Sequence, residues 1–184
     1  MAVIHHTTLT PTKLELIAAW LPKQPWYRGT GAEPARSGGF RLDDPAGEVG
    51  IEFMVVTEGS EAYLVPMTYR GAPLAGADAA LIGTTEHGVL GTRWVYDGTQ
   101  DPVLLAQLRE LLAGRTVAQA QSESDTPDPT VQVEPAEGGE LRVHRVLGEP
   151  DPAGVRGRVT AGWQRADGTA GRAVFAVLTG ADTD

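Results

Sequence analysis

The chain has 184 residues, enough for one domain or for one domain with a small appendage. Apolar residues make up 41% and charged residues 21%, so a packed core is expected, while a net charge of -9 without any basic run excludes the phosphate-neutralising surface of a nucleic-acid binder and disfavours an anionic membrane. The absence of cysteine removes disulfides, thiolate nucleophiles and thiolate zinc sites.

No apolar stretch nears the roughly 20 residues of a membrane span, and no basic segment followed by an apolar one opens the chain, so a cytoplasmic location is expected. Leu14, Ile17, Ala18 and Leu21 recur with the spacing of one buried helical face and predict the first helix. Two start signals compete for it: Thr10 as N-cap followed by Pro11, or Thr12 with Glu15 as a capping box. Pro22 and Pro25 end it, and residues 23–37 read as loop, although Trp26 and Tyr27 stand side by side there.

Phe40-Arg41-Leu42 predicts a short strand and 43–47 a turn. Residues 49–57 predict a strand that is apolar and β-branched almost throughout, apart from Glu52. Residues 62–69 alternate after a Glu58-Gly59-Ser60 turn and continue an antiparallel meander, with Pro66 pointing to an edge strand or a bulge. Residues 71–91 are punctuated by glycines around a short apolar run at 79–82, and Trp94-Val95-Tyr96 is a further short strand. Asp101 as N-cap and Pro102 at the first position open a second helix whose stripe is Leu104, Leu105, Leu108, Leu111 and Leu112. Gly114 frays it, with helix resuming toward Gln121. Residues 122–139, rich in Ser, Asp, Pro, Glu and Gly, read as a linker. Beyond it 141–147, 155–164 and 172–178 alternate like strands, with a hairpin turn at 166–169 and a loose tail after Thr179.

Three segments resemble the maltokinase N-terminal cap: Trp20-Leu21 running into Gln24-Pro25-Trp26-Tyr27-Arg28-Gly29-Thr30-Gly31, then 63–70, then Trp94-Val95-Tyr96-Asp97-Gly98 followed by Asp101-Pro102 and a helix. The resemblance covers about residues 10–120 and implies an α+β fold, a curved antiparallel β-sheet packed by two main helices. In full-length actinobacterial sugar kinases such a cap precedes a protein-kinase-like lobe that phosphorylates maltose with ATP, in glycogen, α-glucan and trehalose metabolism. Residues 140–184 resemble part of a kinase N-lobe, which divides the chain into a cap-like domain at 1–121, a linker at 122–139 and a β-rich subdomain at 140–184.

The departures from the family's pattern point away from catalysis. The position of the phosphate-binding lysine is matched by His144, a weaker phosphate partner at neutral pH, and the catalytic Asp and metal ligands are not found. A non-catalytic cap-like protein that binds a protein partner or a carbohydrate is therefore expected, with no cofactor and no metal. The alternatives are a regulatory or split part of a maltokinase-like kinase, and a small-ligand-binding module.

Other constellations have plainer readings. His5-His6 lacks further ligands nearby, and His87 beside Glu86 reads as a surface-loop histidine. Gly29-Thr30-Gly31 and Gly38-Gly39 lack the rest of a phosphate loop, and Asp43-Asp44 suits a turn. The aromatics Trp26, Tyr27, Trp94 and Tyr96 fill the core or face a ligand. Trp26, Tyr27 and Arg28 are the candidate binding residues, with Trp26 expected to be buried and Tyr27 and Arg28 exposed in a small mixed patch.

Overall fold

A computed structural model describes Ile4 and residues 7–180. The His5-His6 pair and the tail at 181–184 lie outside the described residues.

Eleven strands and two α-helices are present among the described residues. In chain order they are β1 (Leu9–Thr10), α1 (Lys13–Trp20), β2 (Ala35–Leu42), β3 (Gly50–Glu58), β4 (Glu61–Arg70), β5 (Leu81–His87), β6 (Gly91–Asp97), α2 (Pro102–Leu112), β7 (Gln119–Ala120), β8 (Gln132–Glu134), β9 (Glu140–Val143), β10 (Val155–Gln164) and β11 (Ala170–Thr179). The strands form one curved antiparallel sheet in the order β1-β5-β6-β4-β3-β2-β10-β11-β9, with β7 paired to β2 and β8 to β10.

The helices lie on opposite faces of this sheet. Side chains alternate along a strand, and on β3 Met54 and Val56 point to one face, where Ile17 and Trp20 of α1 pack with Val65, Met67 and Val95. Ile51, Phe53 and Val55 point to the other, against Leu104, Leu108, Leu111 and Leu112 of α2. Coverage on both faces explains why 49–57 reads as a continuous apolar run rather than an alternating one.

The ends of both helices follow local chemistry. Of the two competing start signals for α1 the capping box forms: the Glu15 amide donates to Thr12 Oγ1 at 3.2 Å and the Thr12 amide to Glu15 Oε2 at 2.6 Å. Thr10 belongs instead to β1. Asp101 caps α2, accepting from the Val103 amide at 2.9 Å. Its fully buried carboxylate also accepts from Thr68 Oγ1 at 2.7 Å and from Arg70 Nε and Nη2 at 2.7 and 2.8 Å. Burial alone would raise the pKa of Asp101, but these bonds outweigh it and hold the carboxyl below its ordinary value.

Several boundaries differ from the sequence reading. Pro66 lies within β4, which is flanked by β3 and β6, and the β3–β4 register is unbroken. Leu64 N donates to Arg145 O, away from β3, so the proline nitrogen two residues on faces the same side. Pairing with β6 starts only at Met67, so the missing N–H falls in the gap between two partners. Strand β2 starts at Ala35, inside the stretch read as loop, because Ser37, Gly38 and Gly39 carry little strand propensity. Glycine is required there: Gly39 has φ 123°, and a Cβ would sit 1.8 Å from the carbonyl oxygen of Phe53. Helix does not resume toward Gln121; Gly114 at φ 73° ends α2, and Gln119–Ala120 pairs with Arg41 and Phe40 instead.

The C-terminal strands are tied to the rest at three places. Within 122–139, β8 pairs with β10, the Asp128 amide donates to Ala118 O and the Ala136 amide to Leu112 O, both at 2.9 Å. Strand β9 ends at Val143, short of the expected 147, because the chain crosses to β4: Leu64 N donates to Arg145 O at 2.9 Å and Leu147 N to Ala62 O at 2.8 Å. Strand β10 meets β2 at Trp163 and Gly38, and Phe175 stacks on Phe40 at 5.8 Å between ring centres.

Leu108 is fully buried between α2 and the sheet. Leu108→Ala is expected to destabilise the fold by about 2–5 kcal/mol in a denaturant melt, and a loss below about half a kcal/mol would contradict this packing.

Candidate functional site

The loop after α1 is held by aromatic packing and one buried carboxylate. A short 3-10 turn at Leu21–Lys23 follows α1. Trp26 then packs edge-on against Trp20 and beside Tyr63, each at 5.9 Å, while Tyr27 stacks on Tyr63 at 5.8 Å. The Tyr27 hydroxyl donates to Glu58 at the end of β3, with oxygen distances of 2.8 and 2.9 Å. Glu58 also accepts from the amides of Gly31 at 2.9 Å and Ala32 at 3.0 Å. Gly29 permits this close approach, since a Cβ there would lie 2.4 Å from both the Tyr27 hydroxyl and Glu58 Oε1. Burial, and next the bond to Glu58, raise the hydroxyl pKa of Tyr27, so it stays protonated as a donor.

Trp26 and Tyr27 are therefore both half-buried, and the expectation of an exposed Tyr27 is corrected by its seat on Tyr63 and Glu58. Arg28 is exposed and pairs with Glu149, while its amide donates to the Tyr63 hydroxyl at 3.1 Å. Arg145 lies 5.2 Å over the Trp26 ring and bonds Asp97 at 2.5 Å. Trp94 and Tyr96 are not brought to this loop: they pack with Ala77 and Ala80, and the Tyr96 hydroxyl accepts from the Leu74 amide at 2.8 Å.

The remaining singled-out residues have structural partners. His144 is buried, with Nε2 3.3 Å from Asp151, whose other oxygen takes Arg158 Nε at 2.7 Å. His87 Nδ1 accepts from the amides of Val89 and Leu90 at 3.2 and 3.0 Å, and Glu86 accepts from Thr92. Asp44 closes its turn by accepting from the amides of Ala46, Glu48 and Val49. Among the described residues no group of three or more His, Asp or Glu could hold a metal ion, and no helix is long and apolar enough to cross a membrane.

A second constellation, on the same face as α1, escaped the sequence reading. Glu52 on β3 is 2% exposed. Its Oε2 accepts from Lys13 Nζ at 2.6 Å and from the Tyr69 hydroxyl at 2.7 Å, and its Oε1 from Gln121 Nε2 at 3.0 Å. Lys13 also sits 4.8 Å over the Tyr69 ring. Burial by itself would raise the pKa of Glu52; the charge of Lys13 and the bonds from Lys13 and Tyr69 outweigh it, and the carboxyl lies below its ordinary value. Burial and the adjacent Glu52 push the Tyr69 hydroxyl well up. An ionised carboxylate and a protonated phenol that both titrate far from neutrality are poorly placed as general base or acid. These groups border a cleft of about 440 Å³ that Arg41, Arg93, Asp44 and Leu90 also line. The one signal that could have found it was a lone carboxylate inside an apolar strand.

Residues 20–101, from the end of α1 to the N-cap of α2, match the maltokinase N-terminal cap domain. No curated protein matches the chain.

Lys13 is 30% exposed and Glu52 is not, so removing the lysine strands a buried charge. Lys13→Met is expected to destabilise the protein at neutral pH by about 3 kcal/mol. A carboxyl whose folded pKa is depressed stabilises the fold above its unfolded pKa, and that contribution is lost as the pH falls through the lower folded value. The gap between wild type and Lys13→Met is therefore expected to narrow as the pH falls through the acidic range, from the carboxyl pKa that burial raises in the variant down to the lowered one of wild type. Denaturant melts across that range check it; a gap independent of pH contradicts the assignment.

Proposed function

We propose that the chain is a non-catalytic, cap-type binding protein of α-glucan or trehalose metabolism, acting in the cytoplasm and docking a protein partner, or a carbohydrate, through the loop at 23–31. The observation that carries this reading is the match of residues 20–101 to the maltokinase N-terminal cap domain.

The geometry of the loop supports it. Lys23, Pro25, Arg28 and Thr30 are exposed around rings that are themselves fixed on Tyr63 and Glu58. A surface ordered before binding loses less freedom on docking than a floppy one. The half-buried rings supply apolar area, and Arg28 supplies a charge whose only ion-pair partner among the described residues, Glu149, is itself solvent-accessible.

On the reading of 140–184 as part of a kinase N-lobe, the lysine position falls to His144, which is buried with Nε2 3.3 Å from Asp151. This supports binding without phosphoryl transfer over the split-kinase alternative.

The test uses the full chain as bait in the source cells together with retention on an amylose matrix. Wild type is expected to recover an enzyme that handles α-glucans or trehalose, or to be retained on amylose. The double variant Tyr27→Ala, Arg28→Glu is expected to lose that recovery by about tenfold or more. Arg28→Glu alone should leave the melting temperature nearly unchanged, because an exposed ion pair contributes about 0–1 kcal/mol. Recovery that ignores the double variant, or micromolar Mg-ATP binding with sugar phosphorylation, would overturn the reading.

A further inference from the structure

The cleft beside Glu52 has an unusual charge arrangement for so acidic a chain. Its acidic groups are turned inward or already occupied. Both oxygens of Glu52 are taken by Lys13, Tyr69 and Gln121. Both oxygens of Asp44 are taken by three amides of its own turn. The remaining acid of the lining, Glu48, is exposed at the rim.

The cations are in the opposite condition. Arg41 donates through Nε to Ala120 O at 2.9 Å and through Nη2 to Glu123 O at 3.2 Å. Arg93 donates through Nη2 to Leu90 O at 3.2 Å, and its buried Nε has no partner among the described residues. Neither guanidinium has a carboxylate partner among the described residues. Backbone carbonyls orient a guanidinium but leave its charge uncompensated, and in a concave, partly dry setting that charge attracts an anion strongly. Lys13, 30% exposed above Glu52, adds further N–H donors at the same opening.

Part of the wall is apolar. Leu9 and Leu90 contribute to it beside the polar Thr7, Thr85 and His87, and the volume of about 440 Å³ exceeds what a bare inorganic ion fills. It falls in the range of about 300–1,000 Å³ seen for sites that take small organic molecules. Donors without acceptors at one part of the lining and aliphatic groups at another select a ligand with one anionic end and an apolar body.

We propose that the Glu52 cleft is a binding site for a small organic oxyanion, a carboxylate or phosphate monoester on an apolar body, with Arg41 and Arg93 holding the charged end. This site is separate from the loop at 23–31 and stands or falls independently of it. Glu52 acts as a positioning residue: it fixes Lys13 and the Gln121 segment next to Arg41.

The test is calorimetric titration of the full chain with benzoate, phenyl phosphate, inorganic phosphate and, as an uncharged analogue, benzyl alcohol. Benzoate or phenyl phosphate is expected to bind, more tightly than inorganic phosphate, and whichever is tighter names the anion class. Binding should weaken with added salt and by about tenfold or more in Arg93→Gln, the loss expected for one charge-assisted hydrogen bond. Arg41→Gln should do the same, and if it fails to fold, Arg93→Gln carries the test alone, with Arg93→Lys expected to recover part of the affinity. Three results would overturn the proposal: no binding of either aromatic anion at millimolar concentration, benzyl alcohol binding as well as benzoate, or affinities unchanged in a folded Arg93→Gln.

Discussion

The α1 face of the sheet depends on keeping one almost fully buried carboxylate ionised at the edge of a cleft. Glu52 sits on the central strand β3, and its charge is compensated by donors from three distant parts of the chain: the first residue of α1, the end of β4 and the residue after β7. A buried charge with a missing partner is strongly destabilising, so these segments must be in place together. Glu58, further along β3 on the same face, repeats the device with neutral donors: a phenol and two amides bind it, and the aromatic loop is pinned in consequence. The opposite face is closed mainly by aliphatic and phenylalanine packing between α2, the sheet and the C-terminal strands, with one buried carboxylate of its own, Asp101, bound by Thr68 and Arg70 at the start of α2.

The dimensions explain why that first face carries both candidate sites. Helix α1 has 8 residues, about 12 Å of rise, whereas the 9 residues of β3 span about 30 Å. So short a helix cannot cover the face. Near Glu58 the uncovered part is filled by Trp26 and Tyr27; near Glu52 it stays open as the cleft. The loop presents a fixed, partly aromatic surface suited to a partner, and the cleft a concave one suited to a small molecule. The match to the maltokinase cap covers residues 20–101, which includes the aromatic loop and Glu52 but neither Lys13 nor Gln121. The cleft is thus completed by residues outside the matched stretch.

Much of the fold was legible because local signals agreed with packing. The Asp101-Pro102 start and the leucine stripe of α2 appear as expected, and of the two competing starts of α1 the Thr12–Glu15 box forms. On α1 Ile17 and Leu21 are buried as expected, but Trp20 takes the buried place expected of Ala18, which is exposed. The boundaries that moved did so for tertiary reasons. The strand propensity of 35–39 is poor, yet β3 supplies a ladder and requires glycine at 39 for its carbonyl to fit. Pro66 reads as the mark of an edge strand or a bulge, yet it is central and unbulged because its neighbours on one side change at that point. The aromatic loop was visible as a candidate because two adjacent aromatics are rare in such a loop, but nothing local says that Tyr27 bonds a glutamate 31 residues away. The Glu52 cluster was the least legible. Glu52 stood out as an exception in an apolar run, while Lys13 and Gln121 look like ordinary surface residues until the fold brings them to it.

The most direct measurement of the central claim is the ionisation of Glu52 in the folded protein, followed by the carboxyl-carbon NMR shift as the pH is lowered. The account predicts that Glu52 remains ionised when exposed glutamates are already half protonated, titrating below the ordinary value of 4.5. A midpoint above that value would mean that burial dominates, that Lys13 and Tyr69 do not compensate the charge, and that the carboxylate does not organise this face.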